Sequence, residues 1–278
     1  MEIAPEQLKI IKRLSPRMVR NSDIRAVEYA TAQAFPGKEH TWTSDGSWLM
    51  RAGDGVTGRS NSAVPLGPSA GFNPVPLAEI TEFYRRHDLP VRLLIPERIG
   101  KPAERLLADA TWHTEPEILV MVLRDLADLS AEAPGSHPSG AEFRIDAQPD
   151  DAWLQMYHFR GQALPAEALE YLRARIEGTM GFGRLVIDGE TVAITRGTIT
   201  ESGDGTAWLG YSAVEVAPSH RRQGLGALLG QHMLRWGREQ GAKHAYLDVL
   251  ASNTAGIRLY EKLGFIEQHR QIYARLRD

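Results

Sequence analysis

The stretch Val214-Glu215-Val216-Ala217-Pro218-Ser219-His220-Arg221-Arg222-Gln223-Gly224-Leu225-Gly226-Ala227 constrains this chain more than any other. An apolar strand pattern runs into a short basic turn with two glycines, and the turn opens directly into an amphipathic helix. Two glycines let main-chain N–H groups approach an anion closely. The new helix adds the unpaired donors and the positive dipole end of its first turn. Arg221 and Arg222 place fixed positive charge beside them, suited to phosphate oxygens. The turn has the construction of a pyrophosphate site, against the plainer possibility of a solvated basic turn.

Spacing separates the motifs that share this plan. A P-loop requires Gly-Lys-Ser/Thr, and no Lys or hydroxyl follows Gly226. A dinucleotide fingerprint requires a third Gly or Ala where Leu229 stands, although Asp248 ends a later strand at about the distance expected of a ribose-binding acid. What fits is Arg-x-x-Gly-x-Gly, at Arg221, Gly224 and Gly226, after Val-x-Val-x-Pro. This pattern resembles the acyl-CoA site of the Gcn5-related N-acetyltransferase (GNAT) family. Downstream, Asn253-Thr254-Ala255-Gly256-Ile257-Arg258-Leu259-Tyr260-Glu261-Lys262-Leu263-Gly264-Phe265 is similar to the family's second signature, an Asn-initiated helix that carries Tyr and ends in Leu-Gly-Phe. One helix and one strand separate the two. Together they cover the last quarter of the chain, with a looser match back to about Glu142.

The resemblance implies a mixed-sheet α/β fold and acetyl-CoA as acyl donor, with no metal. It implies CoA contacts at Val214, Glu215, Val216, Arg221, Arg222, Gln223, Gly224, Leu225, Gly226, Ala227 and Asn253. Val214 and Val216 would serve through backbone groups left unpaired where the sheet splays, which hold the pantetheine arm like an added strand. Tyr260 would be the general acid that protonates the CoA sulfur. The acceptor would be a primary amine of a small molecule or peptide, attacking directly. Periodicity alone also fits Tyr260 as a core tyrosine against Phe265, and Asn253 as a helix N-cap. The family's usual Glu, on the strand before the glycine turn, falls by register on Gly210; Glu215 lies on the opposite face from Val214 and Val216. Asp248, Glu177, Tyr211 or a water chain remain open as the base. Two further readings stay open: an acyl-CoA-binding sensor or scaffold without catalysis, and a nucleotide-binding oxidoreductase.

At 278 residues the chain suits two domains, and 42% hydrophobic with 24% charged residues indicates a folded globular protein. A net charge of −3 and a pI near 6.3 give no reason to expect nucleic-acid or anionic-membrane binding. The absence of cysteine excludes disulfides and thiol catalysis. With no apolar run of membrane length and no basic-apolar leader in Met1-Glu2-Ile3-Ala4-Pro5-Glu6, a cytoplasmic location is the expectation. The resemblance adds a family preference for dimers, so a homodimer is one option, and the oligomeric state stays open.

The Pro/Gly/Ser-rich segment 131–140 divides the chain into domains at 1–130 and 141–278. In the second, strands are expected at Glu142 to Ile145, Phe182 to Ile187, Thr191 to Ile199, Ala207 to Val216, Ala245 to Val249 and from Phe265 to about Leu276. Asp188-Gly189 marks a hairpin. Helices are expected from Asp150, through a second run from Leu164 to Ile176, from Leu225 to a stop at Gly241, and from Asn253 to Gly264. In the first, helices are expected at Asp23 to Phe35, Leu77 to His87 and Pro102 to Ala110. Its strands are expected at Ser47 to Arg51 and Val56 to Val64 around Gly53-Asp54-Gly55, at Val91 to Ile95 and at Glu117 to Leu123. The order echoes the second half, so the first half reads as a degenerate GNAT-like copy. Pro65-Leu66-Gly67-Pro68 replaces the glycine turn there, and prolines remove donors that a pyrophosphate wants. The layout resembles tandem-domain members of the family in which one copy is active.

Overall fold

The computed structural model describes residues 18–53, 55–129, 140–159, 162–163 and 166–277. The expected linker at 131–140 lies outside them except for Gly140, as does Leu164 of the second helical run. In chain order the elements are α1 (Asn21–Ala34), β1 (Glu39–Trp42), β2 (Leu49–Ala52), α2 (Leu77–Arg86), β3 (Arg92–Pro96), α3 (Lys101–Glu104), β4 (Trp112–Thr114), β5 (Ile118–Arg124) and β6 (Glu142–Asp146). There follow α4 (Asp151–Met156), β7 (His158–Phe159), β8 (Gln162–Ala163), α5 (Ala166–Arg175), β9 (Thr179–Ile187), β10 (Glu190–Glu201), β11 (Ala207–Val216), α6 (Leu225–Glu239), β12 (His244–Leu250), α7 (Thr254–Lys262) and β13 (Ile266–Leu276). No helix among the described residues is long and apolar enough to cross a membrane.

The mixed α/β class expected from the sequence is the one adopted, but the two halves share one nine-stranded sheet. Its order is β3-β13-β5-β12-β11-β10-β9-β6, with β4 also on β13. The strands cross over: β5, from the first half, lies between β12 and β13, while β13 runs between β5 and β3. The β5 sequence Ile-Leu-Val-Met-Val-Leu explains the central place, because it has apolar residues for both faces. Leu119 and Met121 join one core with α6, whereas Val120 and Val122 join another with α1. Among the named strands of the described residues, β11 and β12 are the one parallel pair.

Helices α6 and α7 cover one face of the sheet. The α6 stripe is buried at Leu225, Leu228, Leu229, Met233 and also Leu234, with His232 stacked on Phe143 at 4.7 Å. The helix lies close to β9 and β10 because glycines clear its path. A Cβ on Gly197 would meet Met233 at 2.5 Å, and one on Gly181 would meet Trp236 at 2.7 Å. The other face is covered by α1, α4 and α5, where Ala34, Phe35, Trp153, Leu169 and Leu172 pack on Phe182 and Ile194. The β9–β10 hairpin turns on Asp188 and Gly189, both at positive φ (50° and 85°), as an Asp-Gly turn of the primed type requires.

The first half departs from expectation at Val56 to Val64. No strand forms there; a 3₁₀ turn spans Gly58–Ser60, with single bridges from Val64 to Leu49 and from Ala63 to Leu93. Asn61 is the cause. Its carboxamide oxygen accepts from the N–H of Gly53 (2.7 Å) and Gly55 (3.2 Å), and its nitrogen donates to Thr57 O (2.8 Å). Side-chain bonds of this kind take the backbone partners that a ladder would need. Strand β2 pairs instead with β1, so the hairpin expected around Gly53-Asp54-Gly55 is absent among the described residues. The helix expected from Pro102 is α3 followed by a 3₁₀ turn at Arg105–Ala108.

Candidate active site

The site begins where β11 leaves β12. The two pair from Trp208↔His244 to Gly210↔Tyr246 and no further. Beyond that point β12 stays with β5 (Leu247↔Met121 to Leu250↔Ile118), while β11 stays with β10 (Ser212↔Arg196 to Val216↔Ala193). A wedge therefore opens beside Tyr211–Val216, and the edge of β11 facing it has no strand partner among the described residues. A β-bulge sharpens the divergence: the register shifts between Ile194 and Arg196, opposite Ala213 at φ +56°.

The glycine turn follows at the tip of the same strand. Ala217 closes β11 by donating to Val192 O at 2.8 Å. After a 3₁₀ turn at Pro218–His220, Arg222 (φ +65°) and Gly224 (φ +79°) take left-handed conformations, and Leu225 starts α6. The N–H groups of Gln223, Gly224, Leu225 and Gly226 have no acceptor among the described residues, as the first turn of a helix dictates. Ala227 differs, because its N–H donates to Gly224 O at 3.0 Å. Arg221 is engaged as well. It donates to Val216 O at 3.0 Å and to Glu215 Oε1 at 2.8 Å, tying the turn back to its strand. Arg222 is exposed and has no ion-pair partner among the described residues, so it is the guanidinium at liberty beside the turn.

Asn253 caps α7 through its Oδ1, which accepts from Gly256 N–H at 2.9 Å. Tyr260, one face of α7 further on, packs on the α6 side of the sheet. Its ring stands edge-on to Tyr211 (6.0 Å) and Phe265 (6.2 Å), and burial pushes its phenol up to about 12.

The candidate bases separate by environment. Glu177 is exposed between α5 and β9. Tyr211 is buried, and burial raises its phenol far above the ordinary value. At Gly210 a Cβ would stand 2.7 Å from the Tyr246 hydroxyl, so this tyrosine fills the space a longer side chain would need. Asp248 lies two residues beyond Tyr246 on the wedge side of β12. Burial raises its carboxyl to about 6, with the Arg59 and His269 charges opposing and Glu28 assisting.

Around Asp248 lies a buried polar cluster that the sequence reading missed. The Glu28 carboxylate and His269 Nε2 are 3.0 Å apart, each side chain 1% exposed. Arg196 is 1% exposed and donates to Ser212 Oγ at 3.2 Å. Phe35 has the Arg59 guanidinium 4.1 Å from its ring centre and that of Arg196 at 5.2 Å. One signal was available: Arg196 interrupts the otherwise uncharged run Thr191 to Ile199, and a charge in a buried strand calls for a partner.

Residues 21–274 match the family model described as "Probable histone acetyltransferase Rv0428c C-terminal". The chain is 36% identical over 270 residues to the probable histone acetyltransferase Rv0428c of Mycobacterium tuberculosis, covering 97% of this chain and 79% of that protein. It is 26% identical over 253 residues to the uncharacterized N-acetyltransferase YobR of Bacillus subtilis, covering 89% and 97%. A GCN5-related N-acetyltransferase from Kribbella flavida has the same fold at TM-score 0.67 and 19% identity, covering 93% and 96%. A tandem GNAT protein from the clavulanic acid biosynthesis pathway does so at TM-score 0.62 and 18% identity, covering 97% and 92%.

Proposed function

Because the chain belongs to the family of GNAT-type acetyltransferases described by the Rv0428c C-terminal model, we propose that it transfers an acetyl group from acetyl-CoA to a primary amine by direct attack. One observation carries this reading. The strand edge left open by the wedge, Tyr211–Val216, leads straight into the unpaired N–H groups of Gln223, Gly224, Leu225 and Gly226. The edge suits a pantetheine arm bound like an added strand, and the turn suits a diphosphate, with Arg222 beside it.

The amine nitrogen bonds to the thioester carbonyl carbon, the C–S bond breaks, and two protons move. A main-chain N–H near Val214 faces the developing oxyanion. Asp248 takes the amine's proton from one side of the sheet, and Tyr260 gives a proton to the departing sulfur from the other. Asp248 is favoured over Glu177 and Tyr211 because it alone combines a place on the wedge strand with a carboxyl near 6, ionised at neutral pH. The first half, lacking the glycine turn after Val64, walls the cleft and binds no second donor. The relative named a probable histone acetyltransferase supports an amine acceptor.

Calorimetry with acetyl-CoA tests the donor reading. One site per chain is expected; two equivalent sites would contradict the non-binding first half, and no heat from CoA or acetyl-CoA would remove the reading altogether. Free-thiol release over an amine panel separates an enzyme from a sensor. The base is tested by pH. Since Asp248 acts ionised and titrates near 6, kcat at saturating substrates is expected to fall tenfold per unit below about pH 6. Asp248→Asn should lose about 10²-fold in kcat and lose that acid limb. A variant that keeps both rate and limb excludes Asp248.

A further inference from the structure

Among the described residues, two buried guanidinium groups, those of Arg196 and Arg51, have no carboxylate within ion-pair distance. Arg196, on β10, finds only neutral oxygens as hydrogen-bond partners among the described residues: Ser212 Oγ at 3.2 Å and the Tyr157 hydroxyl. Its Nη1 is buried with no hydrogen-bond partner among the described residues. Arg51, 2% exposed, donates to Phe35 O (3.4 Å) and Ser62 Oγ (3.3 Å), and its Nε is likewise unpartnered. Arg59 adds a third positive charge over the Phe35 ring, near enough for its field to disfavour the charge on Arg196. The acids of the neighbourhood have other partners: Glu28 is 3.0 Å from His269 Nε2, and Asp248 Oδ1 has the Gln271 carboxamide at 3.5 Å.

A guanidinium cannot shed its proton to escape burial, so its charge must be met by an anion or a full set of acceptors. Arg196 has neither. Its position says what the anion belongs to. Ser212, its partner on β11, is the last paired residue before the bulge and lies within the open segment Tyr211–Val216. It shares its side of the sheet with Gly210, against which the Tyr246 hydroxyl stands, and Asp248 follows two residues after Tyr246. A molecule held at Arg196 therefore has its other end beside the wedge and the proposed base.

We propose that Arg196, assisted by Arg59, seats an oxyanion group of the acceptor, so that the acceptor is a small amine bearing a carboxylate or phosphate a short spacer away from the reacting nitrogen. This deepens the acetyltransferase reading and rests on it for the identity of the reacting group. Of the two oxyanions, the planar carboxylate is the closer match to a guanidinium fork.

The test compares matched probes on the full chain: free L-amino acids against their C-terminal amides, and O-phosphoethanolamine against ethanolamine. Readouts are thermal stabilisation by each probe alone and thiol release with acetyl-CoA. The acid member of a pair is expected to stabilise the protein and to exceed its neutral partner at least tenfold in kcat/KM, chiefly through KM. The pair showing the difference identifies carboxylate or phosphate. Arg196→Met should erase the discrimination, and Arg59→Gln, at a half-buried site, should reduce it if the buried variant fails to fold. Acid and neutral probes that behave alike in both readouts, on a chain that binds acetyl-CoA, would overturn the anion site and leave the transferase reading standing. Stabilisation by the acid alone, on a chain that binds no acetyl-CoA, would support the anion site and remove the transferase reading.

Discussion

Gly224→Val is expected to weaken acetyl-CoA binding about 100-fold, a loss of about 2.7 kcal/mol in binding free energy, while the chain stays folded. Gly224 sits at φ +79° as the residue before α6, and among the described residues, its two chain neighbours aside, no atom stands within 4 Å of where its Cβ would be. Crowding by the protein is therefore no reason for glycine here. Conformation is one reason: a β-branched residue held left-handed costs about 1–2 kcal/mol, and relieving that strain rotates the N–H groups of Gln223 to Gly226 away from a common anion. Access is the other, because the open space over Gly224 is the space a diphosphate would enter. The stability cost is confined to one residue at a helix start, so the melting temperature should fall by only a few degrees. Calorimetry on the variant decides. A Kd within threefold of the parent chain would mean that this turn does not grip the donor.

Tyr260→Phe is expected to lower kcat by about 10²-fold with acetyl-CoA affinity nearly unchanged, at the lower end of what general acids contribute. The modest size follows from burial. A phenol at about 12 is protonated throughout the neutral range but gives up its proton reluctantly, and a thiolate with an ordinary value near 8.5 is not a strong claimant. The proton moves only as the C–S bond breaks and sulfur charge develops in the dry wedge. Phenylalanine keeps the ring contacts with Tyr211 and Phe265, so folding should not obscure the result. Single-turnover rates at saturating acetyl-CoA make the measurement, and an undiminished rate would take Tyr260 out of the chemistry.

The site was legible in uneven measure. The glycine turn and the cap at Asn253 lie within a dozen residues or fewer, and their backbone requirements are written in Gly, Asn and the apolar spacing around them. Arg221 shows the limit of such reading. Its place in the motif suggests a phosphate ligand, yet its guanidinium bonds to Glu215 and Val216, a choice that depends on how the turn folds back over its strand. Asp248 was one of several possible bases until burial against α1 set it apart. Arg196 was passed over because strand periodicity counts apolar residues and does not ask what a lone charge among them faces.

What the sequence determined by itself is local: the strand-turn-helix of residues 207–239, the Asp-Gly hairpin between β9 and β10, and the helix that Asn253 starts and Gly264 ends. Each follows from side-chain periodicity and the φ preferences of a few residues. Tertiary structure alone decided that β5 and β13 cross between the halves, and that Glu28 and Arg59 from the first half come together with Arg196, Asp248 and His269 from the second. Strands pair through backbone groups common to every residue, so an apolar strand such as β5 specifies burial on both faces without specifying its neighbours. The neighbours are set by the packing of the whole sheet, and the chemistry of the cleft is set with them.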